Sequence, residues 1–299
     1  MKDKLKIIMG DLRHTTIGMH VSFMPIAIGY IGAYTIAEIG KENLDVYLET
    51  DITKMLDKIN TTNPDVLALS NYIWNHEINQ MVFQKAKELN PEIICIAGGP
   101  EFPRDHAHGE CLDFLLKYPN IDFFAYREGE IPFAKLIKKI LEGDDVLKLK
   151  SIPQVGIMSI HPKSNTLVAG PASERLMDMD VIPSPYLEGM MDKFFDGIFK
   201  PFIESARGCP YQCTFCDAGA SWYNKVAGFS VERIREETEY IAERIKQYPF
   251  LPLALADSNF GMFKRDEVIA DHIGSLQEKY GWPMLFNVST GKSQLERII

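Results

Sequence analysis

Between residues 1 and 142 the sequence switches from strand-like to helix-like patterning five times, and this alternation constrains the fold more than any other feature. The strand signals are Leu5–Leu12, Asp45–Glu49, Asp65–Ser70, Glu92–Ala97 and Asp122–Tyr126. The helical signals are Pro25–Ile39, Ile52–Ile59, Glu77–Leu89, Cys111–Tyr118 and Pro132–Leu141. Pro25 suits a first helical turn, where a missing N–H leaves nothing unsatisfied. Strands that read as continuous apolar runs, such as DVLALS, belong in a parallel sheet covered on both faces. We therefore expect a doubly wound α/β domain with strand order 2-1-3-4-5. Ligands of such sheets bind beyond the carboxyl ends of the strands. That rule singles out the loops Asp11–Phe23, Ser70–Asn75, Gly98–His108 and Arg127–Ile131.

The alternation breaks over residues 143–198. Val155–Ile160 and Thr166–Ala169 flank Pro162-Lys163-Ser164-Asn165 and read as a hairpin. Pro183 and Pro185 then stiffen a linker. From residue 199 the alternation resumes, with strands Lys200–Ser205, Leu251–Ala256 and Met284–Ser289. Helices are expected over Val231–Gln247 and Lys264–Tyr280, with another starting at Lys292. The expected organisation is a domain over 1–145, a hairpin and linker over 146–198, and a second domain over 199–299.

Lys plus Arg number 32 and Asp plus Glu 41, a net charge of −9 that argues against a phosphate-tracking nucleic-acid binder. The longest weakly charged stretch, Pro25–Ala37, is shorter than the ~20 residues of a membrane span. The apolar run of the N-terminal segment, Ile7-Ile8-Met9, is too short for a signal h-region, so the cytoplasm is the default location.

Five cysteines make an odd number for a disulfide framework, and three of them, Cys209, Cys213 and Cys216, fall within eight residues. In a reduced compartment such crowding reads as metal ligation. Structural zinc usually takes a fourth Cys or His, and the nearest histidines are His161 and His272. Three soft ligands with an open position suit an iron–sulfur cluster that has one iron free of cysteine. Zinc or a purely electron-transfer cluster are the alternatives. Cys95 and Cys111 stand alone and read as small buried hydrophobes.

The segment Glu204-Ser205-Ala206-Arg207-Gly208-Cys209-Pro210-Tyr211-Gln212-Cys213-Thr214-Phe215-Cys216, a CxxxCxxC motif after a first β-strand, resembles the radical S-adenosylmethionine (SAM) superfamily. The resemblance implies that Cys209, Cys213 and Cys216 hold a [4Fe–4S] cluster whose fourth iron is chelated by SAM. It implies cleavage of SAM to a 5′-deoxyadenosyl radical, with Phe215 near the adenine. At the end of the next strand the superfamily carries a Gly-Gly-Glu-like motif that meets the SAM amino group. Here Ala256-Asp257-Ser258-Asn259-Phe260-Gly261 stands in its place, without the paired glycines. Asp257 and Asn259 become candidates for SAM contacts, with a helix-capping turn as the plain reading. Ser289-Thr290-Gly291-Lys292 either meets SAM or substrate or simply starts a helix.

A doubly wound domain ahead of this motif resembles the cobalamin-binding branch of the superfamily. Pro25-Ile26-Ala27-Ile28-Gly29-Tyr30, Gly98-Gly99-Pro100, Glu128-Gly129-Glu130 and Pro183-Ser184-Pro185-Tyr186 carry this resemblance by their order and spacing. It implies a Rossmann-like cobalamin domain in which Gly98 and Gly99 admit a flat ring system close to the backbone. It also makes Ser70, Tyr72 and Asn75 candidates for polar contacts to the cofactor's nucleotide tail, with ordinary loop residues as the plain reading, and Glu128, Gly129 and Glu130 candidates for the same cofactor. Asp11-Leu12-Arg13-His14-Thr15-Thr16-Ile17-Gly18 is one residue too long in both gaps for the D-x-H-x-x-G cobalt-ligand motif, and His14 reads as a hydrogen-bonding loop residue.

The resemblance thus implies a radical SAM enzyme with cobalamin-dependent methyl transfer to an unactivated carbon of a small molecule. A flavodoxin- or ferredoxin-type electron donor would serve it. Ring rearrangement or cyclisation, or a non-catalytic cobalamin or iron–sulfur sensor, are the alternatives. A nucleic-acid methylthiotransferase is disfavoured by the charge and by the lack of three further cysteines upstream. A superfamily barrel resembles a partial (β/α)6 unit of roughly two hundred residues, compared with ~250 for a full eight-fold barrel. Residues 200–299 carry only three strand signals and stop inside a helical one. The expectation is a sequence cut short within the barrel.

Overall fold

The computed structural model describes residues 4–14, 23–103, 107–216 and 221–291. They divide into two compact units, one of residues 1–21 and 27–175, the other of residues 22–26 and 176–299.

The first unit is built on a sheet of order β2-β1-β3-β4-β5-β6-β7. Strands β1 (Leu5–Gly10), β2 (Leu44–Glu49), β3 (Val66–Ser70), β4 (Ile94–Gly98) and β5 (Phe123–Ala125) run parallel, in the order expected from the sequence. Helices α1 (Ile26–Ile39), α2 (Ile52–Thr62), α3 (His76–Leu89), α4 (His108–Lys117) and α5 (Glu130–Glu142) make the crossovers. One face of the sheet supplies Ile8, Leu67, Leu69, Cys95 and Phe124 to a core shared with Met55 of α2, Phe83 of α3 and Leu115 of α4. Ile7, Met9, Ile96 and Phe123, alternating with them, are equally buried, which is why these strands read as unbroken apolar runs. The helix ends are chemically marked. Asp51 caps α2 by accepting from Lys54 N, and α5 ends on Gly143 in the left-handed conformation.

The hairpin joins this sheet rather than the connecting segment. A short helix α6 (Val146–Ser151) leads to β6 (Ile157–Ile160), which pairs antiparallel with β5, and β7 (Leu167–Ala169) extends the edge. The unit therefore runs to residue 175, beyond the boundary expected at 145.

In the second unit β8 (Phe202–Ile203), β11 (Leu253–Leu255) and β12 (Phe286–Asn287) form a parallel sheet of order β12-β11-β8. Helices α7 (Val231–Arg244) and α8 (Lys264–Tyr280) provide its crossovers and pack on each other. Ser230 caps α7 by accepting from Arg233 N. The single strand expected over Lys200–Ser205 is split. After Ile203 the chain leaves the sheet, and β9 (Ala206–Arg207) pairs antiparallel with β10 (Ala227–Gly228). The helix expected from Lys292 lies outside the described residues. Among the described residues no helix is long and apolar enough to cross a membrane.

Candidate functional site

The antiparallel pair β9–β10 closes a loop over residues 208–226, and the cysteine motif sits at its start. Gly208 enters it at φ +113°, and a Cβ there would lie 2.4 Å from the Lys225 carbonyl oxygen, so only glycine fits. Cys209 donates its backbone N–H to the Tyr223 carbonyl at 2.8 Å, which ties the two limbs of the loop together. Cys209 is buried, Cys213 and Cys216 are half-buried, and Cys216 N donates to the Cys213 carbonyl at 3.1 Å. Phe215, between them, is 86% exposed. Glu204 and Arg207 form a forked ion pair at the mouth of the loop, with Nε at 3.0 Å and Nη2 at 2.9 Å from the carboxylate oxygens.

The loop after β11 holds this segment in place. Asp257 is buried, and its two carboxylate oxygens accept from Ser205 N at 2.7 Å and Ser205 Oγ at 2.6 Å. Burial outweighs these bonds and pushes its pKa up to about 6. The Ser205 N–H that a continuous strand would give to a neighbour goes to this carboxylate, which is where β8 and β9 separate. Asn259, also buried, donates Nδ2 to Cys209 Sγ at 3.1 Å, while its Oδ1 is buried with no hydrogen-bond partner. Arg265, at the start of α8, donates Nη2 to the Ser205 carbonyl at 3.3 Å. Thr290 forms a parallel bridge with Phe260, so the segment after β12 lies beside the loop after β11.

Among the described residues no three His, Cys, Asp or Glu side chains are grouped to hold a metal ion. The fit of this loop to an iron–sulfur cluster rests on its donors. Three thiols lie within eight residues, and a buried amide is already directed at one of them.

At the carboxyl ends of the strands in the first unit, Asp11, Ser70, Asn71, Asn75 and Asn79 form a polar floor. Ser70 Oγ donates to Asp11 Oδ1 at 3.1 Å, and Asn75 Oδ1 accepts from Tyr72 N at 2.8 Å. Asn75 Nδ2 donates to the Leu12 carbonyl at 3.2 Å. Asn75 is fully buried, so it shapes the loop, whereas Ser70 and Tyr72 are only half-buried. Burial raises the pKa of Asp11, against the opposing pull of the Arg13 guanidinium 3.8 Å away. His14 donates Nε2 to the Trp74 carbonyl at 2.6 Å. Tyr72 and Trp74 stack with ring centroids 4.4 Å apart, and Ile73 and Trp74 are exposed beside them.

Gly99 has φ +121°, and a Cβ there would meet the Asn71 backbone oxygen at 2.6 Å. The loops after β3 and β4 thus approach too closely for any side chain. At Gly98 a Cβ would stand 3.1 Å from the Ala125 carbonyl oxygen. Glu128 accepts from Arg175 Nε at 2.9 Å, Gly129 caps α5, and Glu130 is buried in its first turn. An exposed flat aromatic rim beside a polar floor fits a large planar cofactor with polar appendages. Sequence reasoning quoted Asp11 and Ser205 within their motif segments and Trp74 within its loop without giving them a role, and it missed Arg265, because single residues of these types carry no spacing signature.

No family model matches the chain. It is 31% identical over 287 residues to the cobalamin-dependent radical SAM methyltransferase TokK of Streptomyces tokunonensis, which covers 92% of this chain and 40% of that protein. It is 32% identical over 290 residues to the 2-(S-pantetheinyl)-carbapenam-3-carboxylate methyltransferase of Streptantibioticus cattleyicolor, covering 93% of this chain and 40% of the relative. The chain therefore spans about 40% of the length of these curated relatives. A solved structure of OxsB, a cobalamin-dependent S-adenosylmethionine radical enzyme with aqua-cobalamin and S-adenosylmethionine bound, matches with a TM-score of 0.68. The match has 18% identity and covers 95% of this chain and 38% of OxsB. At that identity the likeness is one of fold, a Rossmann-like domain followed by part of a barrel.

Proposed function

The chain belongs to the cobalamin-binding radical SAM superfamily, and from that membership we propose that it carries the cofactor-holding part of an enzyme that methylates an unactivated carbon of a small molecule. In this reading Cys209, Cys213 and Cys216 hold a [4Fe–4S] cluster. When bound, the cluster and SAM supply a 5′-deoxyadenosyl radical, and cobalamin supplies the methyl group. The observation that carries the reading is the buried pairing of Asn259 with Cys209 inside the CxxxCxxC loop.

Each residue of the two sites has its own task. Asn259 Oδ1, buried and unpartnered, accepts from the SAM ammonium group. Asp257 acts one step back, fixing Ser205 and with it the strand end from which the cysteine loop departs. Phe215, exposed in the loop, covers the adenine. On the first unit, Ser70 and Tyr72 contact the polar tail of cobalamin, while Asn75 fixes their loop. Gly98 and Gly99 keep the rim after β4 low enough for the ring system. Glu128, Gly129 and Glu130 border the same rim, with Glu128 held by Arg175. A reduced compartment, the cytoplasm, suits thiol ligands and a flavodoxin- or ferredoxin-type donor.

Anaerobic reconstitution with iron, sulfide, hydroxocobalamin and SAM, together with a low-potential chemical reductant that takes the cobalt from Co(III) to Co(I), tests the reading. It expects about four irons per chain, and label passing from methyl-labelled SAM to bound cobalamin. Iron without cobalamin uptake would overturn methyl transfer, and failure to bind SAM would leave a sensor instead of an enzyme.

A further inference from the structure

Asn259 is set apart from the other polar residues around the cysteine loop by where its two amide ends go. Nδ2 lies 3.1 Å from Cys209 Sγ, the most buried of the three thiols, and Oδ1 has no partner although the residue is only 6% exposed. A buried amide oxygen left unpaired is costly, and it persists where a ligand completes it. A cysteine that ligates iron does so as thiolate, which has no proton to give. The end of Asn259 that faces it must therefore be the N–H2 end, and the oxygen is turned away from sulfur by necessity.

We propose that Asn259 is a positioning residue that ties the electronic state of the cluster to SAM occupancy through a single amide. Its N–H donates to the Cys209 thiolate and its carbonyl accepts from SAM. Hydrogen bonds to cluster sulfurs stabilise the more negative, reduced form and raise the reduction potential. Accepting a bond from a cation at Oδ1 polarises the amide and strengthens N–H donation at the other end. SAM binding then strengthens the hydrogen bond to Cys209 and makes the cluster easier to reduce when its co-substrate is in place. The inference rests on the cluster reading above and adds to it a coupling between two sites on one side chain.

Two substitutions separate the two ends. Asn259→Asp keeps the acceptor and removes the donor, and Asn259→Leu has nearly the same shape and removes both. The reconstituted full chain is titrated electrochemically, with the cluster followed by electron paramagnetic resonance, in the absence and presence of saturating SAM. SAM affinity is measured in parallel by equilibrium binding. In the unsubstituted protein, SAM is expected to shift the potential upward. Both variants should keep full iron content, show a more negative potential and lose the upward component of the SAM-induced shift. SAM affinity should fall about tenfold in Asn259→Leu, the loss of one bond to a charged donor, and should be retained in Asn259→Asp. Full iron with an unchanged potential in both variants would overturn the inference while leaving the cluster reading intact. Failure of the unsubstituted chain to assemble the cluster would overturn that reading, and this inference with it.

Discussion

Asp257 shows how one residue's burial becomes a property of the whole fold. Its folded-state pKa is raised to about 6 by burial, against 3.8 for the exposed group. Between those values the folded state binds a proton that the unfolded state does not, so stability falls as pH rises through this window. The contribution is fully present below about pH 4 and is lost above about pH 6, and the shift corresponds to about 3 kcal/mol. The substitution Asp257→Asn would preserve the pattern without titrating, because the amide Oδ1 can accept from Ser205 N while Nδ2 donates to Ser205 Oγ. Urea unfolding of the cluster-free protein from pH 4 to 7 should show stability falling less steeply with pH in this variant than in the unsubstituted protein, since buried Asp11 and Glu237 keep their own contributions, and identical slopes would refute the assignment. At this scale the sequence was legible in part. The polar pair at the end of the second strand of the unit stood out in ADSNFG, but spacing does not reveal partners. That Asp257 holds Ser205 while Asn259 faces Cys209 depends on how two strand ends meet across 52 and 50 residues of chain.

At the scale of elements, β8 is only two residues long, yet it launches the cysteine loop. On one side it pairs with β11. Its other edge is met by a side chain from the linker. Tyr186, fully buried, donates its hydroxyl to the Phe202 carbonyl at 2.8 Å and accepts from Phe202 N at 3.2 Å. Ser184 anchors the same linker by donating to Glu237 of α7 at 2.6 Å. The phenol thus supplies what a neighbouring strand would, and Tyr186→Phe leaves the N–H and carbonyl of half-buried Phe202 without this partner. The substitution should destabilise the second unit by about 1–3 kcal/mol, read as a lower urea midpoint. A change within error would mean that water fills the place of the hydroxyl. The linker was legible from its prolines, but its role as an edge cap was not, since a tyrosine in a loop has no periodicity. The same limit applies to the hairpin. Its two strands were evident, but pairing with β5 is decided by which sheet edge is open. The parallel strands of the first unit were legible for the opposite reason, because burial on both faces writes an apolar run directly into the sequence.

For the whole molecule, the residues assigned to cobalamin and those assigned to the cluster fall in different compact units, each with its own sheet. The polar floor, the aromatic rim and Gly99 belong to the first unit, and the cysteines, Asp257 and Asn259 to the second. If each site is built by its own unit, loading of one cofactor does not require the other. Replacing Cys209, Cys213 and Cys216 together by Ser should abolish iron uptake while cobalamin affinity changes by less than about threefold, under 1 kcal/mol. Gly99→Ala reverses the pattern. It forces a Cβ into the Asn71 backbone at a positive φ, a strain of about 1–3 kcal/mol, and displaces the rim after β4. Cobalamin binding should weaken while iron per chain stays as in the unsubstituted protein. Iron analysis and the visible spectrum of bound corrinoid read both outcomes from one sample. Loss of both cofactors in either variant would show that the two sites are built as one, and that the division into units does not extend to function.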